Sequence, residues 1–307
     1  MPHPSFLSPP LPSLRRAHAR AAPASPPLCT LPTLSDLTSL GVLTLRPRST
    51  DYKPPPPSAR SQLEPELIAL VAVSHHPSPS NLSPAYATAA IQRLHPDAVV
   101  LELCRFRAPL LNDPPATDTL PPWARLTLRR RLLGTLLASA DDDAIAAGAE
   151  FRAAAKAAEQ VRATLVLGDR PLQHTLSRAW DSLNLRDRFV LAAALARAAL
   201  AGNTVGHVAD EKLKETIESG LDADGVVDKY VRLLGERFPG LRRTLVEERD
   251  LYMAWVLKRS RAVSGKKCVV GVVGRAHVDG IVRALEEDDR RRREGEQPLL
   301  RFRDIVS

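Results

Sequence analysis

Cysteine is scarce in this sequence, and the few that occur lie far apart. The chain of 307 residues has three, Cys29, Cys104 and Cys268, and none of them is part of a Cys-x-x-Cys pair. Disulfide-rich domains and cysteine-based zinc clusters need several closely spaced cysteines. Neither kind of structure is therefore expected here.

Several motifs of common function classes are also absent. Aromatic residues make up only 4% of the chain and do not alternate with basic residues, so nucleic-acid binding is not expected. No nucleotide cofactor is expected either, because the chain lacks the phosphate-binding loops Gly-x-Gly-x-x-Gly and Gly-Lys-Ser/Thr. The His-Glu-x-x-His motif and the Gly-x-Ser-x-Gly elbow are missing too.

Long apolar runs do not occur. The most apolar segment, FVLAAALARAALAG, is interrupted by Arg197 and follows Arg186 and Arg188. A membrane-spanning helix needs about 20 predominantly apolar residues. We therefore expect no transmembrane segment, although association with a membrane surface stays compatible with the sequence.

Acidic residues are absent before Asp36, whereas Arg15, Arg16 and Arg20 lie there among proline, serine and alanine. Part of the net charge of +8 therefore lies at this end. Such a composition is typical of an organelle transit peptide. We predict a disordered leader over residues 1–60 that directs the protein to a chloroplast or a mitochondrion. The alternative is a proline-rich tail on a cytoplasmic protein, since segments such as KPPPPSARS cannot form a core.

The remaining residues, 61–307, show the pattern of an α/β domain. Short apolar runs predict strands at EPELIALVAV, AVVLEL, ATLVLGDRP, KCVVGVV and LLRFRDI. Helices are predicted over 85–94, 149–160 and 241–259, with a helical insertion between the strands. We predict a mainly parallel or mixed central sheet with flanking helices. The strand–helix–strand order at the start predicts that the first two strands are parallel neighbours.

Polar residues follow four of these strands. The strands end in AVSHH, ELCRFR, LGDRP and VGRAH. The carboxyl ends of parallel strands lie along one edge, where open α/β sheets bind ligands. The four endings therefore predict a common site.

Histidines follow the first and the fourth of these strands. His277 comes three residues after Gly274, which allows a tight turn, and His75 or His76 occupies the matching place after the first strand. Neutral imidazole is a common metal ligand and a good general base. Each histidine also has a simpler interpretation, as a helix cap or as a loop residue.

Carboxylates occur in two otherwise apolar segments. Glu102 lies inside VVLELC, where an ionised side chain needs a partner, and Arg107 is near enough to supply one. Glu248 precedes Arg249 and Asp250 and falls on the apolar stripe of a predicted helix. A ligand-binding or catalytic role and a structural ion pair both account for such residues.

The LGDRP segment contains Gly168, Asp169 and Arg170. An aspartate at this place is common as a helix cap, whereas Arg170 would suit an anionic group. Both interpretations stay open from the residues alone.

Five segments of the chain resemble, in order, the signature segments of TraB domain proteins, the TraB/PrgY family. The resemblance spans about residues 67–285. The segments are PDAVVLELCRFR, GAEFRAAAKAAEQV, LVLGDRPLQHTLSRAW, FPGLRRTLVEERDLYMAWVL and VVGVVGRAHVDGI. This family is related to the Tiki metalloproteases and to the erythromycin-esterase/ChaN-like group, and the resemblance implies an α/β core.

The resemblance also implies a divalent metal, held by two Gly-x-x-His motifs and by acidic residues. The second motif is intact from Gly274 to His277. The first has changed to Ala72-Val73-Ser74-His75, with His76 beside it. Further positions that match the family are Glu102, Arg107, Glu150, Arg152, Glu248, Arg249 and Asp250.

The first function that this resemblance implies is that of a metal-dependent, peptidase-like hydrolase. His75 and His277 would bind Mn²⁺, Co²⁺ or Zn²⁺ together with Glu102 or Glu248. The other carboxylate would act as general base. An arginine would hold the substrate carboxylate or the developing oxyanion, and the candidates are Arg107, Arg170 and Arg249.

The second function is that of a catalytically inactive organelle adaptor. Such a protein would use the same cleft to bind a peptide or protein ligand in organelle contacts or peptide signalling. The changed first motif favours the adaptor, and the intact VGRAH and ERD segments favour the hydrolase.

Overall fold

A computed structural model describes residues 31–54, 63–74, 81–112, 148–190, 193 and 238–306 of the chain. Within this part, a five-stranded sheet is covered by helices on both faces. The predicted α/β class, with a mixed sheet and flanking helices, is confirmed. Most of the predicted helical insertion, the transit-like residues before Leu31, and both His75 and His76 lie outside the described residues.

The elements have the following bounds. The strands are β1 (Leu43–Pro47), β2 (Leu67–Val73), β3 (Ala98–Leu101), β4 (Thr164–Leu167) and β5 (Cys268–Gly274). The helices with both ends described are α1 (Leu34–Ser39), α2 (Ser83–Leu94), α3 (Ala149–Gln160), α4 (Leu172–Asp181), α5 (Pro239–Arg242), α6 (Glu248–Arg259), α7 (Arg275–Arg293) and α8 (Phe302–Val306). A short 3₁₀ helix covers Ala108–Leu111, and a π-helical turn at Arg243–Glu247 joins α5 to α6.

The sheet is parallel except at one edge. Its strand order is β1-β2-β5-β3-β4, and only the pairing of β1 with β2 is antiparallel. The ladder between β2 and β5 runs from the pair Leu67 and Cys268 to the pair Val73 and Gly274. These two strands therefore end side by side.

The prediction that β2 and β3 are neighbours is wrong, although they are parallel. β5 lies between them, because Gly271 pairs with Leu70 on one side and with Val100 on the other. The crossover rule fixes the relative direction of two strands but leaves room for another strand between them. The apolar residues of β5 are buried on both faces, as a central parallel strand requires.

Alternate residues of the strands face two separate core layers, because successive side chains point to opposite faces of a sheet. On β2, Val71 packs with α1, α2 and α3, whereas Leu70 packs with α6, α7 and α8. Gly271 allows α6 to approach the second face closely. A Cβ at this position would lie 3.0 Å from the side chains of both Leu257 and Leu70. The sheet therefore determines the position of α6.

Part of the predicted leader belongs to the fold, so the boundary at residue 60 is a correction. Residues 34–47 form α1 and β1, and β1 extends the sheet next to β2. The helix begins with a capping box, in which the Asp36 amide donates to Thr33 Oγ1 and the Thr33 amide donates to the Asp36 carboxylate. The Thr-x-x-Asp spacing before an apolar residue is a helix-start signal that proline enrichment obscured.

The predicted last strand, LLRFRDI, is wrong as well. Residues 302–306 form α8, and the Phe302 ring packs 4.9 Å from the ring of Trp255 on α6. Ile305 is buried in the core beside the same helix. Apolar residues three positions apart fit a helical turn, and short apolar runs do not distinguish strand from helix.

A buried ionic cluster ties the end of α6 to the end of α7. Lys258 Nζ lies 2.8 Å from Asp288 Oδ2 and 2.5 Å from Asp289 Oδ1. Arg259 Nη2 lies 2.5 Å from the same Asp288 oxygen, and Asp288 is fully buried. The cluster also includes Glu64, which precedes β2 and lies 3.6 Å from Lys258.

No helix in the described part of the chain has both the length and the apolar composition needed to cross a membrane. The apolar segment around Arg197 lies mostly outside the described residues.

Candidate functional site

The carboxyl ends of β2, β3, β4 and β5 lie along one edge of the sheet, as predicted. Charged side chains from three of these connections and from the first turn of α6 meet there. We call this group the edge network, and it consists of Glu102, Arg107, Asp169, Arg249, Asp250 and His277. The edge network is the candidate site that the following contacts describe.

Glu102 follows β3 directly and is only 4% exposed. Its Oε2 accepts a hydrogen bond of 2.7 Å from the backbone N–H of Gly274, at the start of α7. Its Oε1 accepts one of 2.6 Å from Arg249 Nη2. Arg107, the partner expected from the sequence, donates to the Glu102 backbone carbonyl at 2.9 Å instead. Two strong donors therefore compensate the burial of this carboxylate.

His277 lies in the first turn of α7 and is buried between two carboxylates. Its Nδ1 lies 2.5 Å from Asp250 Oδ1, and its Nε2 lies 3.4 Å from Glu102 Oε1. A carboxylate opposite Nδ1 keeps the proton on that nitrogen, which leaves the Nε2 lone pair for another partner. The helix-cap interpretation does not describe this histidine, because its ring is part of the edge network.

Asp250 is held against His277 by the close approach of α6 and α7. Gly280 makes this approach possible, since a Cβ there would lie 1.9 Å from Asp250 Oδ2. Burial raises the pKa of the Asp250 carboxyl, although the hydrogen bond from His277 and the charge of Arg249 counteract it. A π-helical turn, Arg243–Glu247, directly precedes α6, and Asp250 lies in the first turn of that helix.

Asp169 joins two arginines two residues after β4. It accepts from Arg107 Nη2 at 2.7 Å and from Arg249 Nε at 3.0 Å. Burial acts to raise the pKa of this carboxyl, but the charges of Arg249 and Arg107 outweigh it and hold the pKa below its ordinary value. The helix-cap interpretation is wrong, since α4 begins at Leu172 with no side-chain cap. Gly168 has no room for a side chain, because a Cβ would lie 2.3 Å from Val100 Cγ1.

Glu248 lies in a second group of charges next to the edge network. Its Oε2 accepts from Arg170 Nη1 at 2.7 Å and from Arg178 Nε at 2.7 Å, and its Oε1 accepts from Arg178 Nη2 at 3.0 Å. Burial acts to raise the pKa of Glu248, but the hydrogen bonds from Arg178 and Arg170 lower it below its ordinary value. Arg170 connects the two groups through its backbone N–H, which donates to Asp169 at 2.8 Å.

Sequence reasoning missed Arg178. The only signal was a carboxylate on an apolar helical stripe, which requires a cation but does not identify it. Arg178 is 70 positions away from Glu248 in the sequence, so the pairing depends on the fold.

Comparison with known proteins places the chain in a family. The model of the TraB/PrgY/gumN family matches residues 68–291, which include every element from β2 to nearly the end of α7. The chain belongs to this family. The match confirms the resemblance found in the sequence.

The TraB domain-containing proteins of animals are among the relatives of this TraB-family chain. That of Bos taurus is 31% identical over an alignment of 221 residues, which covers 62% of this chain and 56% of the relative. That of Homo sapiens is 30% identical over an alignment of 228 residues, which covers 64% of this chain and 58% of the relative. An uncharacterised protein of Methanocaldococcus jannaschii is 30% identical over 141 residues, 46% of this chain and 32% of the relative. The chain thus spans little more than half the length of the animal relatives that it matches.

The remaining positions that match TraB-family motifs are Glu150 and Arg152 on α3 and the histidines after β2. Glu150 is buried in the first turn of α3, and Arg152 of that helix donates to the carbonyl of Leu110 at 3.1 Å. His75 and His76 lie outside the described residues. The chain leaves β2 beside α7, however, since Val73 pairs with Gly274.

Two of the described donors are of the chemical type that a divalent metal binds. His277 Nε2 and Glu102 Oε1 converge, and an imidazole nitrogen with a carboxylate oxygen suits first-row divalent ions. Asp250 supplies the second carboxylate that commonly orients a ligating histidine. Among the described residues, no three metal-type side chains are arranged so that they could hold one ion, so a third protein ligand would come from elsewhere in the chain.

Proposed function

We propose that this TraB-family protein is a metal-dependent hydrolase of peptidase type. The convergence of His277 Nε2 and Glu102 Oε1, 3.4 Å apart at the ligand-binding edge of the sheet, is the observation that supports it. The Asp250 carboxylate adds to this support, because it fixes the imidazole in the tautomer that a metal ligand needs.

In this proposal His277 and Glu102 would hold a divalent metal, with His75 as a further ligand. Mn²⁺, Co²⁺ or Zn²⁺ bound there would supply a water with a pKa near neutrality as the nucleophile. Asp250 keeps the proton on Nδ1 of His277, so that Nε2 is the nitrogen that would bind the metal. Glu248, which the sequence offered as a ligand or base, instead positions Arg170 and Arg178, because its hydrogen bonds are to these two arginines. The carboxylates that lie against His277 are Glu102 and Asp250.

Arg107 is the arginine best placed to hold an anionic part of a substrate. Its side chain is 31% exposed, whereas that of Arg170 is 3% exposed. Asp169 positions the Arg107 guanidinium through one N–H and leaves other donors of the fork for a ligand. A guanidinium of this kind binds carboxylates and developing oxyanions well.

The second candidate function is a catalytically inactive adaptor that binds a peptide or protein ligand at an organelle. A specific contact favours it, since Arg249 Nη2 already binds Glu102 Oε1 at 2.6 Å. A carboxylate paired in this way is stable without a metal, and the edge would then serve as a charged binding surface.

Metal content of the full-length protein tests the proposal. Mass spectrometry would be applied to the wild type and to His277→Ala after reconstitution with Mn²⁺, Co²⁺ or Zn²⁺. His174→Ala is the matched control, because His174 is exposed on α4. Stoichiometric metal that is lost only in His277→Ala supports the hydrolase. A wild type that retains no metal would remove the hydrolase and favour the adaptor.

A further inference from the structure

We propose that Arg249 is a built-in cation that competes with the divalent metal for Glu102 and His277, and so regulates metal loading of the site. The inference rests on the proposed function. It predicts that replacement of Arg249 raises the metal affinity, which the metal site alone does not predict.

The competition follows from the atoms that Arg249 contacts. Its Nη1 lies 3.2 Å from His277 Nε2, and its Nη2 lies 2.6 Å from Glu102 Oε1. Neutral imidazole has one lone pair, and in the tautomer set by Asp250 that lone pair is on Nε2. A guanidinium offers only N–H donors, so the contact uses the lone pair that a metal would need. The two cations cannot share Nε2.

The arginine is firmly held in this place. Besides the two contacts above, Nε donates to Asp169 Oδ1 at 3.0 Å, Nη2 donates to Asp169 Oδ2 at 3.2 Å, and Nη1 donates to the carbonyl of Leu245 at 3.4 Å. Burial acts to lower the pKa of Arg249, but the charges of Asp169 and Glu102 outweigh it and raise the pKa. The guanidinium therefore remains a cation at every pH of interest.

The contacts also indicate how the site would open. Asp169 binds the Nε and Nη2 edge of the guanidinium, whereas Glu102 binds Nη2 and His277 contacts Nη1. Rotation about the Asp169 contact would free both metal-type atoms and keep the arginine paired with Asp169. Metal loading would thus require an exchange of one cation for another, which makes affinity depend on how strongly Arg249 is held.

The test measures metal affinity rather than activity. Co²⁺ would be titrated into the metal-free full-length protein, and the dissociation constant determined by calorimetry and by the Co²⁺ absorption bands. Arg249→Gln removes the competing cation, and the affinity is expected to rise about tenfold or more, an ordinary size for coupling between two groups that share a site. Arg283→Gln on exposed α7 surface removes the same charge elsewhere and is expected to leave the affinity unchanged.

A second variant covers the case in which Arg249→Gln does not fold. Arg249→Lys keeps the charge but lacks the planar fork that reaches two acceptors at once. Its Co²⁺ affinity is expected to lie above that of the wild type. In either variant that folds, further replacement of His277 by Ala should abolish the gain.

The other outcomes overturn the inference in distinguishable ways. Equal Co²⁺ affinity in the wild type and in the Arg249 variants would show that the arginine does not compete with the metal. The proposed metal site would then remain supported. Weaker binding in the variants would show that Arg249 supports the ligands instead. If neither the wild type nor the variants bound Co²⁺, the proposed function and this inference would fail together.

Discussion

Asp250 Oδ1 lies 2.5 Å from His277 Nδ1, and this contact joins α6 to α7 at the ligand-binding edge of the sheet. In the chain, α6 precedes β5 and α7 follows it. Their contact depends on Gly280, whose missing side chain leaves the space that Asp250 occupies. The orientation of the candidate metal ligand is thus determined by helix packing.

Gly280→Ala should therefore disturb the site as well as the fold. An alanine in place of glycine inside an ordinary helix stabilises a protein by about 1 kcal/mol. Here the new Cβ would lie 1.9 Å from Asp250 Oδ2, so we expect a net loss of about 1–3 kcal/mol from overpacking. Urea unfolding would measure the change, and Co²⁺ titration would report the weakened orientation of His277.

The double variant Asp250→Ala/Gly280→Ala provides the control for this prediction. Without the Asp250 carboxylate the clash disappears, so Gly280→Ala should become neutral or stabilising in that background. An equal loss in both backgrounds would show that the cost arises elsewhere in α7.

Glu248 should make stability depend on pH in the acid range. Its folded-state pKa lies below the ordinary value of 4.5, mainly because the hydrogen bonds from Arg178 and Arg170 outweigh burial. A lowered folded-state pKa contributes stability that is complete above the unfolded-state pKa and is lost as the pH falls through the folded-state pKa. The wild type should thus lose more free energy of unfolding than Glu248→Gln between about pH 6 and about pH 3.

The matched control for this prediction is Glu247→Gln. Glu247 is the exposed neighbour of Glu248, and its carboxylate lies 3.8 Å from Arg242, a surface pair that contributes little. Its pH profile should follow that of the wild type. Identical profiles for Glu248→Gln and the wild type would contradict the assigned role of the arginine pair.

Much of the edge could be predicted because local sequence determines it. Each buried strand appears as a short apolar run, and a parallel sheet brings the polar residues that follow such runs to one edge. Glu102, Asp169 and His277 were identified in this way, and they do meet. The parallel direction of the strands is sufficient to predict that these residues share one edge.

The pairing inside the edge network could not be predicted in the same way. Glu102 was matched with Arg107, five positions away, but its side chain accepts from Arg249, 147 positions away. Insertion of β5 between β2 and β3 brings α6 and α7 to the site, and no local pattern specifies that order. Local sequence identifies charges that need partners, whereas the topology decides which partners they find.

Arg107→Gln should separate ligand binding from metal binding. The side chain contacts Asp169 and the Glu102 carbonyl but neither metal-type atom in the structure, so metal content is expected to stay unchanged. Loss of an oxyanion-binding donor should lower kcat/KM toward a fluorogenic peptide mixture by about 10²-fold. The exposed Arg105 provides the control variant Arg105→Gln. Loss of metal in Arg107→Gln would instead place this arginine among the groups that support the ligands.

Asp288→Asn should reduce stability without altering the candidate site. Asp288 is fully buried, and both Lys258 Nζ and Arg259 Nη2 contact its Oδ2. Removal of one partner from a buried ion pair costs about 3–5 kcal/mol when the other charge is left alone. The loss should be smaller here, because Lys258 keeps its contact with Asp289. Asp279→Asn, at an exposed position of the same helix, should change the free energy of unfolding by less than about 0.5 kcal/mol.

Co²⁺ affinity should be the same in both folded variants, because the ionic cluster holds the far end of α7 and His277 lies in its first turn. A change in affinity that accompanied the loss of stability would show that the position of α7 along the sheet, and not only its amino-terminal contacts, determines the geometry of His277.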